Sequence, residues 1–202
     1  MEGDIVDLLL QLKKEKSRPI DLALEDIKGL LMYEESSRRN QKSIVNEDDI
    51  QNIPYFKAII KETFRLHPPA PLLLPRESME KSTLERYEIP PTTIIYINSW
   101  SIARDPEIWK NPKEFIPERF LNNDIDFKRE DYELIPFGTG RRGCPGITLG
   151  IAAIELALSN LLYAFDWELH CGLKKEDIDA DVRLGITMHK KNELCLIPKN
   201  YF

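Results

Sequence analysis

The residues best suited to chemistry in this 202-residue chain fall within ten positions, FGTGRRGCPG, from Phe137 to Gly146. Two chemistries are open to them. Gly138, Gly140 and Gly143 match G-x-G-x-x-G, and a helix-forming stretch follows, the spacing that lays a phosphate on a helix N-terminus. That reading also needs a hydrophobic strand just before the first glycine and an acidic residue about 20 positions later. The residues before it are REDYELIP, short, polar and closed by proline, and Asp166 falls after the helix rather than at the end of a second strand. The other chemistry presents a sulfur to a metal. Cys144 immediately precedes Pro145 and an apolar helix, where the helix dipole and free N–H groups favour a thiolate. Gly140, Gly143 and Gly146 let the backbone approach a flat ligand with no Cβ in the way. Arg142 offers that ligand a fixed cation, and Phe137 an aromatic face beside the sulfur.

A flat dianion with a metal at its centre is heme, so heme–thiolate ligation is feasible at Cys144. A cysteine buried in an ordinary turn satisfies the same residues. The elements that must position the loop are legible by periodicity. Pro54–Leu66 (PYFKAIIKETFRL) predicts a helix begun by proline, with Phe56, Ile59, Ile60 and Phe64 as its buried stripe and His67-Pro68-Pro69 as its stop. Proline-rich chain follows to about Asn98, with TTIIYI the strongest strand signal. Residues 101–120 read as short helical turns and loops. Ile147–Phe165 is apolar nearly all round and predicts a buried helix. ITMHKKNELCLIP predicts strand, turn, strand. Upstream, Ile5–Leu12 and Leu24–Met32 are helical in type, and the polar segment from Tyr33 is a helix surface or a connection. The expected class is mainly α with a minor β component.

Composition narrows the functions. The chain is 42% hydrophobic and 31% charged, with a net charge of -6, which gives no reason to expect nucleic acid or an anionic membrane as partner. Cys144, Cys171 and Cys195 make no CxxC pair and no zinc spacing with His67, His170 or His189. Cys171 and Cys195 are expected to be structural. No run approaches the ~20 apolar residues of a spanning helix, and the N-terminus reaches charge too early for a signal peptide.

Four motifs in one order carry a specific resemblance. Phe137-x-x-Gly140-x-Arg142-x-Cys144-x-Gly146 resembles the heme loop of the cytochrome P-450 monooxygenases. Glu62-Thr-Phe-Arg65 resembles the family's ExxR helix, Pro117-Glu-Arg119-Phe120 its PERF segment, and HPPAPLLLPRES the stretch after that helix in plant and microsomal members. The resemblance runs from about Asn46 to Phe202. It implies the C-terminal part of the P-450 fold, with residues 1–32 a helical remnant, 33–53 a polar connection and 54–202 the heme-binding region. It implies heme held by Cys144, with Arg142 and Arg76 as propionate partners and Phe137, Gly140 and Gly146 lining the loop. Arg119 would join Glu62 and Arg65, neighbours on one helix face, in a structural ion network. Leu72, Leu73, Thr187 and Met188 fall where substrate-contacting segments lie, although apolar packing explains them equally well. The implied reaction inserts one oxygen atom from O2 into a hydrophobic small molecule, with electrons from a flavoprotein reductase.

Family members are more than twice this length and typically sit on the cytosolic face of the endoplasmic reticulum membrane. This chain is expected to lack their anchor and so to be cytoplasmic or peripheral. It also departs from the pattern at Tyr33. The lead-in DIVDLLLQLKKEK…LEDIKGLLM runs straight into YEESSRRNQKS, with no glycine–acid–threonine stretch for binding and protonating dioxygen on the distal side. An internal deletion and weak or absent turnover are the expectation, the alternative function being an inactive heme-binding fragment. Arg86, before YEIP, stands where the pattern has glycine.

Overall fold

The computed structural model describes residues 44–200, except 122, 129, 130, 171, 175, 176, 180 and 184. The expected helices Ile5–Leu12 and Leu24–Met32, the junction at Tyr33 and Cys171 lie outside the described residues.

Within the polar connection, NEDD starts a helix. The side chain of Asn46 accepts the Asp49 N–H at 3.2 Å, and the Asp49 carboxylate accepts the Asn46 N–H at 3.0 Å. This reciprocal cap, with three acids in the first turn, begins α1 (Glu47–Gln51). α2 (Pro54–Leu66) has proline at its first turn as expected and buries Phe56, Ile59, Ile60 and Phe64. It also buries Glu62 and Arg65. The His67 N–H closes it on the Thr63 carbonyl at 2.8 Å, and Pro68 cannot extend it.

The proline-rich stretch forms two small antiparallel ladders: β1 (Arg76–Glu77) with β4 (Ile94–Ile95), and β2 (Ser82–Leu84) with β3 (Tyr87–Ile89). TTIIYI gives only two residues of strand. Pro90 and Pro91 have no N–H to donate, and Thr92 turns the chain at φ 62°. α3 (Ser99–Ile102) follows, capped by the Asn98 side chain, and then a 3-10 turn at Pro117–Phe120, in keeping with the short turns expected there.

α4 (Ile147–Ala164) departs from expectation. Ile151, Leu158, Leu162 and Tyr163 enter the core with α2, but Leu149 is 76% exposed and Leu161 37%. Among the described residues nothing covers that side, so an all-apolar helix here is buried on one face only. Asn160 joins α4 to the incoming chain: its amide oxygen accepts the Val45 N–H and its amide nitrogen donates to the Val45 carbonyl, both at 3.0 Å.

The C-terminal hairpin is also corrected. β7 (His189–Lys190) pairs back with β6 (Val182–Arg183), whereas β8 (Leu196–Asn200) pairs with β5 (Phe165–Leu169). The two predicted strands belong to different ladders because each has a better partner upstream. The Asp179 carboxylate ties the base of the β6–β7 hairpin through Asn192 at 2.8 Å and the Asp181 N–H at 2.9 Å. Both hydrogen bonds hold that carboxyl below its ordinary range.

Replacing Asn160 with Ala leaves the buried Val45 amide groups without partners. The expected loss is about 1–3 kcal/mol, measured as a lowered urea midpoint with an unchanged m-value.

Candidate functional site

The site is built outward from α2. Glu62 and Arg65, three residues apart, face one another with no solvent exposure, joined at 2.7 Å (Nε–Oε2) and 2.8 Å (Nη2–Oε1). Arg119 reaches the same carboxylate at 3.2 Å from the 3-10 turn, and the Ile116 N–H donates to it at 2.8 Å. Arg65 spends its remaining donors on the carbonyls of Ala103 at 2.6 Å, Pro112 at 2.9 Å and Glu114 at 3.0 Å. One carboxylate faces two guanidiniums here, and the backbone dipoles share the surplus positive charge. The Trp109 ring lies beside both cations, 5.3 Å from Arg65 and 5.6 Å from Arg119. The network predicted from Glu62, Arg65 and Arg119 is therefore assembled. Trp109, which the motifs did not single out, is its aromatic wall.

The loop rests on this base. Leu134, Ile135 and Pro136 are buried, and the chain then turns out at Gly138 (φ 69°) and Gly140 (φ 67°), conformations that favour glycine. A 3-10 turn at Gly140–Arg142 leads to Cys144, whose N–H donates to the Phe137 carbonyl at 2.9 Å. The thiol is exposed, so the alternative of a buried structural cysteine does not describe Cys144. No strand occurs among the described residues between Leu121 and Phe137, so the dinucleotide reading of the glycines lacks its required element. Phe137 turns its ring into an aromatic cluster, 5.1 Å from Phe64 on α2 and 5.7 Å from Phe127.

Arg76, Met79, Thr139, Gly140, Arg141 and Arg142 line a cavity of about 410 Å³ on the outer side of the loop. Two of the expected cationic residues, from separate elements, thus line one space, with Cys144 two residues on from Arg142 but not itself in the lining. Gly138 makes the join close: a Cβ built there would lie 3.8 Å from Arg76 Nη2 and 3.8 Å from the Leu73 side chain. An exposed sulfur, glycine backbone and paired guanidiniums fit one face of a metal-bearing planar dianion. Among the described residues no cluster of three His, Cys, Asp or Glu side chains offers a metal site made of protein groups alone.

Of the substrate candidates, Leu73 is buried against the loop and Leu72 is exposed. Thr187 and Met188 sit on the turn between β6 and β7, and the Met188 N–H donates to the Pro69 carbonyl at 2.7 Å. None of the four lines the cavity. Met79, Thr139 and Arg141 line it although the motifs did not mark them. The Arg141-Arg142 doublet beside Cys144 is the one signal in the sequence that points to any of the three.

Below α2, burial pushes the His67 imidazole down to about 4, with Arg104 and Arg65 adding to the effect. Arg104 stacks on Trp100 at 4.2 Å and donates to the Leu66 carbonyl. Its own value falls to about 10, through burial and then Arg65. A Glu62→Ala change leaves Arg65 buried without its carboxylate and is expected to cost about 3–5 kcal/mol, read as a collapse of the cooperative thermal transition. His67 is neutral when folded and has a depressed value, so its contribution is present above pH 6.5 and lost as pH falls toward 4. Chemical denaturation between these limits should show a loss of about 3 kcal/mol, largely absent in His67→Gln.

The chain was compared with known proteins. The family model described as Cytochrome P-450 matches residues 31–196. Cytochrome P-450 71A1 of Persea americana is 43% identical over 232 aligned positions, covering 99% of this chain and 46% of the relative. A 5-OH-xanthotoxin synthase of Pastinaca sativa is 52% identical, covering 89% of this chain and 35% of its own length. A zebrafish cytochrome P-450 solved with abiraterone superimposes with a TM-score of 0.75 at 22% identity, covering 98% of this chain and 43% of that one. The chain thus spans less than half the length of these relatives. The ion network, the cysteine loop, the shared fold and the matched family model have one conclusion: the chain belongs to the cytochrome P-450 family, whose members are heme-dependent monooxygenases of mainly helical fold.

Proposed function

We propose that this chain carries the proximal, heme-holding half of a plant-type monooxygenase site, with Cys144 as the iron ligand. One observation carries the reading. The exposed Cys144 thiol lies two residues from Arg142, in a loop whose outer cavity also receives Arg76. Arg76 and Arg142 would take the two propionates, and Gly140 and Gly146 would let the loop backbone approach the ring. A thiolate-bound heme supplies an electron-rich iron that favours O–O cleavage. Phe137 fixes the path of the loop, since its carbonyl holds the Cys144 N–H and its ring is anchored in the aromatic cluster. Glu62, Arg65 and Arg119 hold the floor beneath.

In the complete enzyme, the substrate is a hydrophobic small molecule, with Leu72, Leu73, Thr187 and Met188 contributing to its contacts. A flavoprotein reductase supplies the electrons, at the cytosolic face of the endoplasmic reticulum membrane. The likeness to a named plant synthase supports a role in secondary metabolism.

A second reading has its own support. The alignment with the Persea americana protein extends over 232 positions, more than the 202 residues of this chain, so that relative carries residues without a counterpart within the aligned span. The chain also holds no glycine–acid–threonine stretch like the one that delivers protons on the distal side. Both favour a fragment that binds heme without turnover.

The reduced, carbon-monoxide-bound absorption spectrum of the heme-loaded chain tests ligation. A strongly red-shifted Soret band, lost in Cys144→Ser, is the expected result; an unshifted band in both chains overturns the assignment. NADPH-coupled product formation with a reductase would overturn the second reading.

A further inference from the structure

The two described methionines differ sharply in access. Met188 is half-buried on the turn between β6 and β7, where its N–H is tied to Pro69. Met79 is 92% exposed, more than any other large apolar side chain among the described residues. Core packing therefore does not hold it. Its surroundings are polar instead, because it lines the cavity of about 410 Å³ with Arg76, Thr139, Gly140, Arg141 and Arg142.

That cavity is rich in donors and poor in acceptors. Arg76, Arg141 and Arg142 have no hydrogen bond or ion pair among the described residues. Two acids stand close by in sequence, Glu77 and Glu80, but both are exposed and neither lines the cavity. Alternation along β1 turns Glu77 to the side opposite half-buried Arg76. The Met79 thioether is a weak acceptor and leaves the guanidiniums unsatisfied. Its sulfoxide would be a different group, polar and with an oxygen that accepts hydrogen bonds. The unbranched Met79 side chain is flexible enough to bring that oxygen to the donors without moving the loop.

We propose that Met79 is a site of oxidation to the sulfoxide, whose oxygen turns into the cavity and accepts from its guanidiniums. The oxidant is hydrogen peroxide. A sulfur lone pair attacks one peroxide oxygen and the O–O bond breaks. The proton on the transferred oxygen passes to the leaving hydroxide, which departs as water. Sulfur loses two electrons and peroxide gains them. The nearby cations favour this step, since they stabilise the charge that develops on the leaving oxygen. Oxidation thus fills with an internal acceptor a space that otherwise receives an anion. Where heme is held as proposed above, the sulfoxide competes with its propionates for Arg76 and Arg142; only that consequence rests on the heme reading.

The full-length chain without added heme tests the proposal. After peroxide, tryptic mapping compares ESMEK (77–81) with LGITMHK (184–190). Met79 should oxidise several-fold faster than Met188 in the native chain, and the two rates should converge in urea. Phenylglyoxal labelling of Arg76, Arg141 and Arg142 then reads the guanidiniums. It should slow about threefold after oxidation, the worth of one net hydrogen bond. Met79→Gln, whose amide oxygen supplies the acceptor without oxidation, should label equally slowly, and Met79→Leu should keep the fast rate before and after peroxide. Oxidation of Met188 ahead of Met79 overturns the proposal. So does labelling unmoved by oxidation, labelling slowed as much in peroxide-treated Met79→Leu, or a Met79→Gln chain that labels as fast as Met79→Leu.

Discussion

Two oxygens of the Glu62 carboxylate, withdrawn from water, accept from Arg65, Arg119 and the Ile116 amide. The rest of the described structure depends on this arrangement because the partners come from distant parts of the chain. Arg65 then reaches on to the carbonyls of Ala103, Pro112 and Glu114. The irregular segment from Ala103 to Arg119 contains little regular structure to satisfy its own backbone, and α2 supplies the missing donors. A buried ion pair in isolation recovers little of its desolvation cost. Here the carboxylate and the guanidiniums are saturated with hydrogen bonds, so the cluster acts as a junction that specifies one path for the chain around it.

That junction sets the loop's position by packing. Phe64 lies between Glu62 and Arg65 on α2, and its ring meets Phe137 and Phe127. The charged face of α2 fixes the irregular segment from Ala103 to Arg119, and its aromatic flank fixes the residue at which the cysteine loop begins. Positive φ at Gly138 and Gly140 then swings the backbone outward, leaving the thiol at the surface where α4 starts. Rigid support below and an open side above suit a group that must hold a bulky planar ligand without closing over it.

Much of this was legible in the residues. α2 could be read from Pro54, its stripe and its proline stop, because one local period and two local punctuators decide it. The network was readable because the residue types and the order of Glu62, Arg65 and Arg119 match a family pattern; periodicity alone would have left Glu62 and Arg65 as an exposed pair. The strand pairings were not legible. β5 finds β8 across the 26 residues 170–195, which hold the β6–β7 hairpin, and nothing local in LCLIPK names its partner. α4 misled for a different reason: apolar residues all round the helix indicate what it is able to bury, not what is present to cover it. Trp109 and Phe127 were missed because aromatic contacts with non-adjacent elements leave no spacing signal.

Asn160 meets Val45 through main-chain atoms alone, donating to one carbonyl and accepting from one amide, as a neighbouring strand would. The two hydrogen bonds make no demand on the side chain at position 45, which is held separately by burial in the core. The joint therefore has two parts, a main-chain clamp that any residue with an N–H could satisfy and an apolar socket that an aliphatic side chain fills. The Asn160 amide thus fixes where the incoming chain meets α4, and the burial of Val45 fixes which side of that chain faces the core.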